Sequence, residues 1–231
     1  MKTTRTNPDI EIIFEDNHLL VVNKPIGLLS QEDHTDAPDI LTLCKEYLKK
    51  EYKKPGNVFL GLLHRLDRPV SGVMMPAKTS KAASRISEQI RRRTIKKKYL
   101  AVVTGNPPPN GYLTHFLLKD EKTNTVQVVE SNIKRSKEAQ LMFQRLETVG
   151  DLHLLKITLI TGRPHQIRVQ LSTEGYPIWG DHKYGQSNGS SPALHAYSIE
   201  LEHPTLKKEI FLLAPPPKIT PWNKFSIKIS T

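Results

Sequence analysis

The sequence predicts an α+β fold with a mostly antiparallel sheet, on three observations. First, four short apolar runs, 112–118, 125–129, 138–146 and 152–159, follow one another with turn residues between them. Runs this short and this closely spaced pair most simply as antiparallel neighbours. Second, the last of them alternates Leu155, Ile157 and Leu159 against Lys156 and Thr158, the period of a half-buried strand. Third, only a few helical stretches interrupt the strands, which points away from a doubly wound α/β sheet.

Each element has its own local reason. Residues 1–9 read as a flexible, polar and basic N-terminal tail without the apolar core of a signal peptide. Ile10, Ile12 and Phe14 mark a first strand, and 19–22 is a short buried one ended by Asn23-Lys24-Pro25. Asp39 caps a helix to about Tyr52, and Lys53-Lys54-Pro55-Gly56 breaks it. The stretch 59–75 reads as strand, turn and strand. Thr79 or Ser80 starts a helix that ends in Arg91-Arg92-Arg93, cations suited to a helix C-terminus. Tyr99 lies in a central strand over 99–103. Pro164 suits the first turn of a further helix, which would place His165 and Arg168, three apart, on one face. Gly175 and Pro177 end that helix. Two more strands follow over 194–202 and 209–213, and 225–229 alternates like a last edge strand.

The chain has 231 residues, enough for one large domain or two small ones. Nothing in it reads as a linker, so a single domain over 10–231 is expected. Lys and Arg number 34 against 23 Asp and Glu, a net charge of +11. Such an excess favours nucleic acid or another polyanionic surface. Its densest run covers 91–98, which reads either as a solvated face or as a phosphate track. The single cysteine, Cys44, falls on the apolar face of its helix and reads as a small core residue. It permits no intrachain disulfide and no cysteine-based zinc cluster. No run approaches the roughly 18 apolar residues of a membrane helix. The expected location is the cytoplasm.

The chemistry concentrates at His64-Arg65-Leu66-Asp67-Arg68-Pro69-Val70-Ser71-Gly72, between the apolar runs 59–63 and 73–75. A carboxylate, two arginines and a histidine there sit in a turn flanked by apolar segments. His64, His165, His182 and His195 are the candidate metal ligands, but no pair has the spacing of a two-histidine zinc motif. His64-Arg65-Leu66-Asp67 is faintly kinase-like, yet the glycine-rich loop and the Asp-Phe-Gly motif are absent. Ser71 lacks a Gly-x-Ser-x-Gly elbow. A carboxylate with arginine nearby is left. Arg168 is a natural partner for Asp67, because it stays charged and can grip a carboxylate at two points.

Five ordered segments carry a family resemblance. They are Leu20-Val21-Val22-Asn23-Lys24-Pro25-Ile26-Gly27, the nine residues from His64, Lys98-Tyr99-Leu100-Ala101, and Gly162-Arg163-Pro164-His165-Gln166-Ile167-Arg168-Val169 followed by Gly180-Asp181 and Tyr184-Gly185. The last is Leu194-His195-Ala196 with His203-Pro204. Together they resemble the RluA-type family of RNA pseudouridine synthases and span almost the whole chain.

The resemblance implies a mixed, mostly antiparallel central sheet with flanking helices, and a central active-site cleft where the segments 64–68, 99 and 163–168 meet. It implies isomerisation of chosen uridines in ribosomal or transfer RNA to pseudouridine by a monomer, with no cofactor and no metal. Asp67 then corresponds to the catalytic aspartate, Tyr99 to the pocket tyrosine and Arg168 to the arginine paired with the aspartate. Arg65 corresponds to the arginine that fills the gap left by a flipped nucleotide. His64, Lys98, Arg163 and His165 join it as substrate-binding candidates from the same motifs. Two departures stand out. Val70 replaces the threonine that many members carry, and no S4-type RNA-binding domain is expected before the first strand. An RNA-binding module without catalysis is the alternative, supported by the basic surface alone.

Overall fold

The computed structural model describes residues 6–7, 10–35, 37–185 and 191–227. In chain order the strands and helices are β1 (Thr6–Asn7), β2 (Ile10–Glu15), β3 (Leu20–Lys24), α1 (Ile40–Glu51), β4 (Ser71–Met74), α2 (Ser80–Arg92), β5 (Lys96–Val103) and β6 (Asn110–Asp120). They continue as β7 (Thr125–Val129), β8 (Lys137–Val149), β9 (Leu152–Leu159), α3 (Gln166–Thr173), β10 (Leu194–Glu202) and β11 (Glu209–Leu213). A 3-10 turn, Trp222–Lys224, follows. The pairs β1·β2, β2·β3, β3·β4, β5·β9, β6·β7, β6·β8, β8·β9 and β10·β11 are antiparallel. The fold class is α+β.

The chain divides into two compact units. The first holds Met1–Ile95 with Ala196–Ala214, and the second holds Lys96–His195 with Pro215–Thr231. In the first unit the strand order is β1-β2-β3-β4-β10, with β11 on β10. Leu19, Val21, Val73 and Met75 form its core with Ile86 of α2 and with Ile199 and Leu201 of β10. Ile86 is fully buried, and its burial stabilises the unit by about 2 kcal/mol. The second unit is an antiparallel sheet ordered β5-β9-β8-β6-β7. Its α3 buries Val169 against Leu117, Val126 and Ala139.

The helix starts follow capping chemistry. Asp39 Oδ1 accepts the N–H of Thr42 at 3.0 Å at the head of α1, and Thr79 Oγ1 accepts that of Ala82 at 3.2 Å at the head of α2. Cys44 is fully buried in α1, which pushes its thiol up to about 12 and leaves it a core residue. The arginines that end α2 have a local partner: Arg91 and Arg92 both pair with Glu88, the latter at 2.6 Å. These are exposed pairs one turn apart, as on a solvated helix face.

Four sequence expectations are corrected. The segment before Asp67 is not a strand. It contributes one bridge, Gly61 to Ala77, and only the exit from the turn is a strand, β4. Helix α3 starts at Gln166, so Pro164 precedes it and His165 is its N-cap. His165 has φ 50°, a left-handed conformation outside the helix, so it shares no helical face with Arg168. Finally, 225–227 has no strand, since the chain there leaves the 3-10 turn, and 228–229 lies outside the described residues. Of the expected N-terminal tail, Thr6 and Asn7 pair with Glu11 and Ile10; 1–5 and 8–9 lie outside the described residues. Among the described residues no helix is long and apolar enough to cross a membrane.

Candidate active site

In the first unit, Asp67 sits in a turn that the 24–30 loop grips from below. The N–H of Val70 donates to the carbonyl of Asp67 at 2.9 Å and closes the turn. Gly27 accepts the Arg68 Nε–H on its carbonyl at 3.0 Å and donates its own N–H to the Arg68 carbonyl at 3.0 Å. Gly27 has φ 85°, the left-handed backbone that glycine adopts without strain. Ser30 Oγ donates to the Leu66 carbonyl at 2.7 Å and accepts the Leu66 N–H at 3.0 Å. The early Asn-Lys-Pro-Ile-Gly segment is therefore the cradle of the Asp67 turn.

Lys24 is the strongest part of that cradle. It is fully buried, yet its Nζ donates to the carbonyls of Pro25, Leu28 and Arg68 at 2.9, 2.7 and 3.2 Å. Burial pushes its ammonium down from the ordinary 10.5 to about 8, and the charge of Asp67 partly offsets that shift. By sequence, Lys24 reads only as the end of a strand and as part of a motif.

The other residues of this stretch divide by exposure. Arg65 and Arg68 are exposed and Asp67 is half-buried. His64 Nε2 accepts the N–H of Met75 at 3.2 Å, so one ring nitrogen anchors the stretch to the end of β4. Val70 is buried, and its turn is held through its backbone rather than through a side-chain hydroxyl. Gly72 is required by space. A Cβ there would stand 2.2 Å from the Ala196 carbonyl oxygen, and its φ of 120° already disfavours a side chain.

In the second unit, Tyr99 is buried in β5, opposite Ile157 of β9. Strand alternation puts Lys97, rather than Lys98, on the face that Tyr99 occupies. Lys97 Nζ lies 3.6 Å from where a Gly162 Cβ would stand, which ties β5 to the turn before α3. Burial holds its ammonium below the usual lysine range.

Arg168 projects from α3 and is buried. Its Nε and Nη2 donate to Asp181 Oδ2 and Oδ1, each at 2.7 Å, a two-point fork. Burial alone would raise the Asp181 carboxyl. The hydrogen bonds and charge of Arg168, with the N–H groups of Lys183 and Tyr184, hold it below the usual range. Tyr184 then gathers the two site candidates: its hydroxyl lies 2.6 Å from His165 Nδ1, and the Arg168 guanidinium lies over its ring at 5.2 Å. The same hydroxyl accepts the Val126 N–H at 2.9 Å.

Gln166 compensates for the missing side-chain cap of α3. Its Oε1 accepts from Thr161 Oγ1 at 2.8 Å and from the Arg163 N–H at 3.0 Å, and its Nε2 donates to the Gln140 carbonyl at 3.0 Å. Arg163 Nε donates to the Glu138 carbonyl at 2.9 Å. Asp181 and Tyr184 stood in the sequence only as parts of a motif, and Gln166 and Lys97 carried no signal of their own. Among the described residues no three of His, Cys, Asp and Glu gather as a metal-binding group. His195, one of the four histidines weighed as ligands, is buried edge-on to Trp222 instead.

Comparison with known proteins gives these residues a setting. A family model described as RNA pseudouridylate synthase matches residues 18–173, which include Lys24, Asp67, Tyr99 and Arg168. The ribosomal large subunit pseudouridine synthase C of Buchnera aphidicola subsp. Acyrthosiphon pisum is 33% identical over 91% of this chain and 68% of its own. That of Haemophilus ducreyi is 32% identical over 88% and 65%. The ribosomal large subunit pseudouridine synthase D of Nitrosomonas europaea is 32% identical over 84% and 58%. The chain thus spans about two thirds of the length of the curated relatives it matches. Among solved structures, human RNA pseudouridylate synthase domain containing 4 is 28% identical with a TM-score of 0.71, covering 90% of this chain and 88% of its own. Human RNA pseudouridylate synthase domain containing 1 shares the fold at 24% identity and a TM-score of 0.73, covering 95% and 89%. The family match over most of the chain, together with the fold, settles the assignment: this chain belongs to the RluA-type family of RNA pseudouridine synthases.

Proposed function

We propose that the chain isomerises chosen uridines in RNA to pseudouridine, with Asp67 as the reacting carboxylate. One observation carries the reading: the family match runs through a turn on which Asp67 is held by at least four hydrogen bonds to its immediate neighbours, Leu66 and Arg68. A reacting group needs that kind of fixed backbone. In the reaction the bond between N1 of uracil and the sugar carbon breaks, the base turns, and a bond from its C5 to the same carbon forms. The C5 proton leaves and N1 gains one, so the change is an isomerisation and consumes nothing.

The remaining roles follow residue by residue. The target base is unreachable while stacked, so the uridine leaves the helix at a cost of about a few kcal/mol. Arg65, exposed beside Asp67, fills the gap that the base leaves. Tyr99 packs on the uracil and serves the later proton abstraction. Arg168, fixed by Asp181, is the residue that the family resemblance pairs with the reacting aspartate, and His64, Lys97, Lys98, Arg163 and His165 bind the nucleotide and its phosphates. Asp67 attacks the sugar carbon, takes a sugar proton or adds to the ring; all three need the ionised carboxylate. The catalytic domain of this reading runs over 10–231. The substrate is ribosomal RNA, as the names of the relatives favour, or transfer RNA. The enzyme works as a monomer in the cytoplasm and needs no metal.

The test is incubation of purified protein with ribosomal and transfer RNA, followed by chemical mapping of pseudouridine. Modification at defined uridines supports the reading. RNA that is bound but left unmodified at every uridine would support the non-catalytic binding module instead.

A further inference from the structure

The β6–β7 hairpin, the turn before β8 and the segment before α3 enclose a groove of about 330 Å³ within the second unit. Lys119, Arg135, Lys137 and Arg163 line it, against one carboxylate, Glu121. Glu121 is engaged by Lys119, Nζ to Oε2 at 2.5 Å. Arg135, Lys137 and Arg163 are therefore in excess over the acidic groups of the groove. Arg163 is also fixed in place by the Glu138 carbonyl, an uncharged partner that leaves its positive charge intact.

The floor is apolar and rigid. Leu117 and Val126 are 4% and 3% exposed and belong to the cluster that packs α3 through Val169. Pro164 closes one end. Two successive turns, Ile133 N–H to the Glu130 carbonyl at 3.2 Å and Ser136 N–H to the Ile133 carbonyl at 3.1 Å, hold the basic stretch around Arg135 against this floor.

We propose that this groove is a second RNA-contact surface, which takes a single-stranded stretch of the substrate RNA outside the reacting nucleotide. Cations along the walls track phosphates, and Leu118 and Pro164, the apolar lining residues that reach solvent above this floor, meet the face of a base or sugar. A duplex presents phosphates but hides its base faces, so it has nothing to set on Leu118 and Pro164. Position supports the choice: Arg163 and Pro164 lie on the turn that leads directly into His165 and α3. The inference rests on the RNA-modifying reading above and adds where the RNA is held.

The experiment uses the full chain and fluorescence anisotropy with a labelled short oligouridylate and an RNA duplex of equal length, over a range of salt. Isomerisation is read separately on ribosomal RNA. The groove variant is Arg135→Gln with Lys137→Gln, and the control is Arg91→Gln with Arg92→Gln. Loss of two phosphate contacts lowers the salt slope for single strands by about 1.4. The groove variant should bind oligouridylate about tenfold more weakly, with that shallower slope, while the control and the rate at saturating RNA stay within about twofold. An unchanged slope, an equal loss of duplex binding, or displacement of the RNA by polyglutamate as readily as by RNA would each overturn the groove proposal. A wild-type chain that isomerises RNA but shows one of these results overturns the groove alone. A wild-type chain that neither binds nor isomerises any RNA overturns both readings.

Discussion

Arg168 is held by Asp181 at two points, Nε to Oδ2 and Nη2 to Oδ1, with both side chains almost wholly excluded from water. The pair fixes the guanidinium plane on α3. It also means that the partner of Arg168 lies in the Gly180–Tyr184 loop, not only where the motif comparison pointed.

Removing that partner should be costly. Asp181→Ala leaves a buried guanidinium without its carboxylate and should destabilise the protein by about 3–5 kcal/mol. Urea unfolding followed by circular dichroism measures this. Asp181 has a folded pKa below its unfolded one, so its contribution is fully present above the unfolded value, near 3.9, and is lost as pH falls through the folded value. The wild type should lose stability below about pH 4 more steeply than Asp181→Ala.

Lys24 has the opposite sign. Its folded pKa of about 8 lies below the ordinary 10.5, so the folded state holds this proton less tightly than the unfolded chain. The resulting cost is fully present below pH 8 and is relieved as pH rises from about 8 to 10.5. Wild-type stability should therefore rise across that window relative to Lys24→Met. At pH 7 the variant should still suffer, because the Pro25 and Leu28 carbonyls lose the Lys24 donor and the Arg68 carbonyl keeps only that of Gly27. The expected loss is about 1–3 kcal/mol, with lower activity as the Asp67 turn is held less firmly. Equal pH profiles for the two proteins would refute this account of Lys24.

Strand register makes the third prediction. Lys97 shares the face of Tyr99, so Lys97→Met should reduce isomerisation at sub-saturating RNA by about tenfold, the worth of one charge-assisted hydrogen bond. Lys98→Met should also reduce it, by about threefold, as for the loss of one phosphate contact. Steady-state kinetics on a modified RNA decides between the two lysines.

Gly72 gives a stability prediction independent of RNA. Gly72→Ala drives a methyl into the Ala196 carbonyl and should destabilise the first unit by more than about 3 kcal/mol. Thermal unfolding is the check. A variant as stable as the wild type would contradict the close approach of β4 and β10.

Much of this was legible in the sequence, for identifiable reasons. Strands β7 and β9 and helices α1 and α2 begin and end within a residue or two of where alternation and capping residues placed them. Asp39 and Thr79 are local signals, readable without tertiary knowledge. What was missed depends on contacts distant in sequence. Lys24 looked like the end of a strand because its partners, Leu28 and Arg68, are carbonyls that no side-chain pattern displays. His165 looked helical because spacing cannot reveal a left-handed cap. Lys97 was overlooked because a strand sends alternate, not adjacent, side chains to the face of Tyr99. The lead-in to Asp67 is apolar enough for a strand, but only Gly61 pairs there.

The central claim is that Asp67 performs the chemistry. The most direct measurement is pseudouridine formation by Asp67→Asn, on RNA that the wild type modifies, with folding checked by circular dichroism. Asparagine keeps the size of the side chain and removes the carboxylate. The expected result is a folded protein that binds RNA and forms no pseudouridine. A folded Asp67→Asn protein that modifies RNA at the wild-type rate would contradict the account.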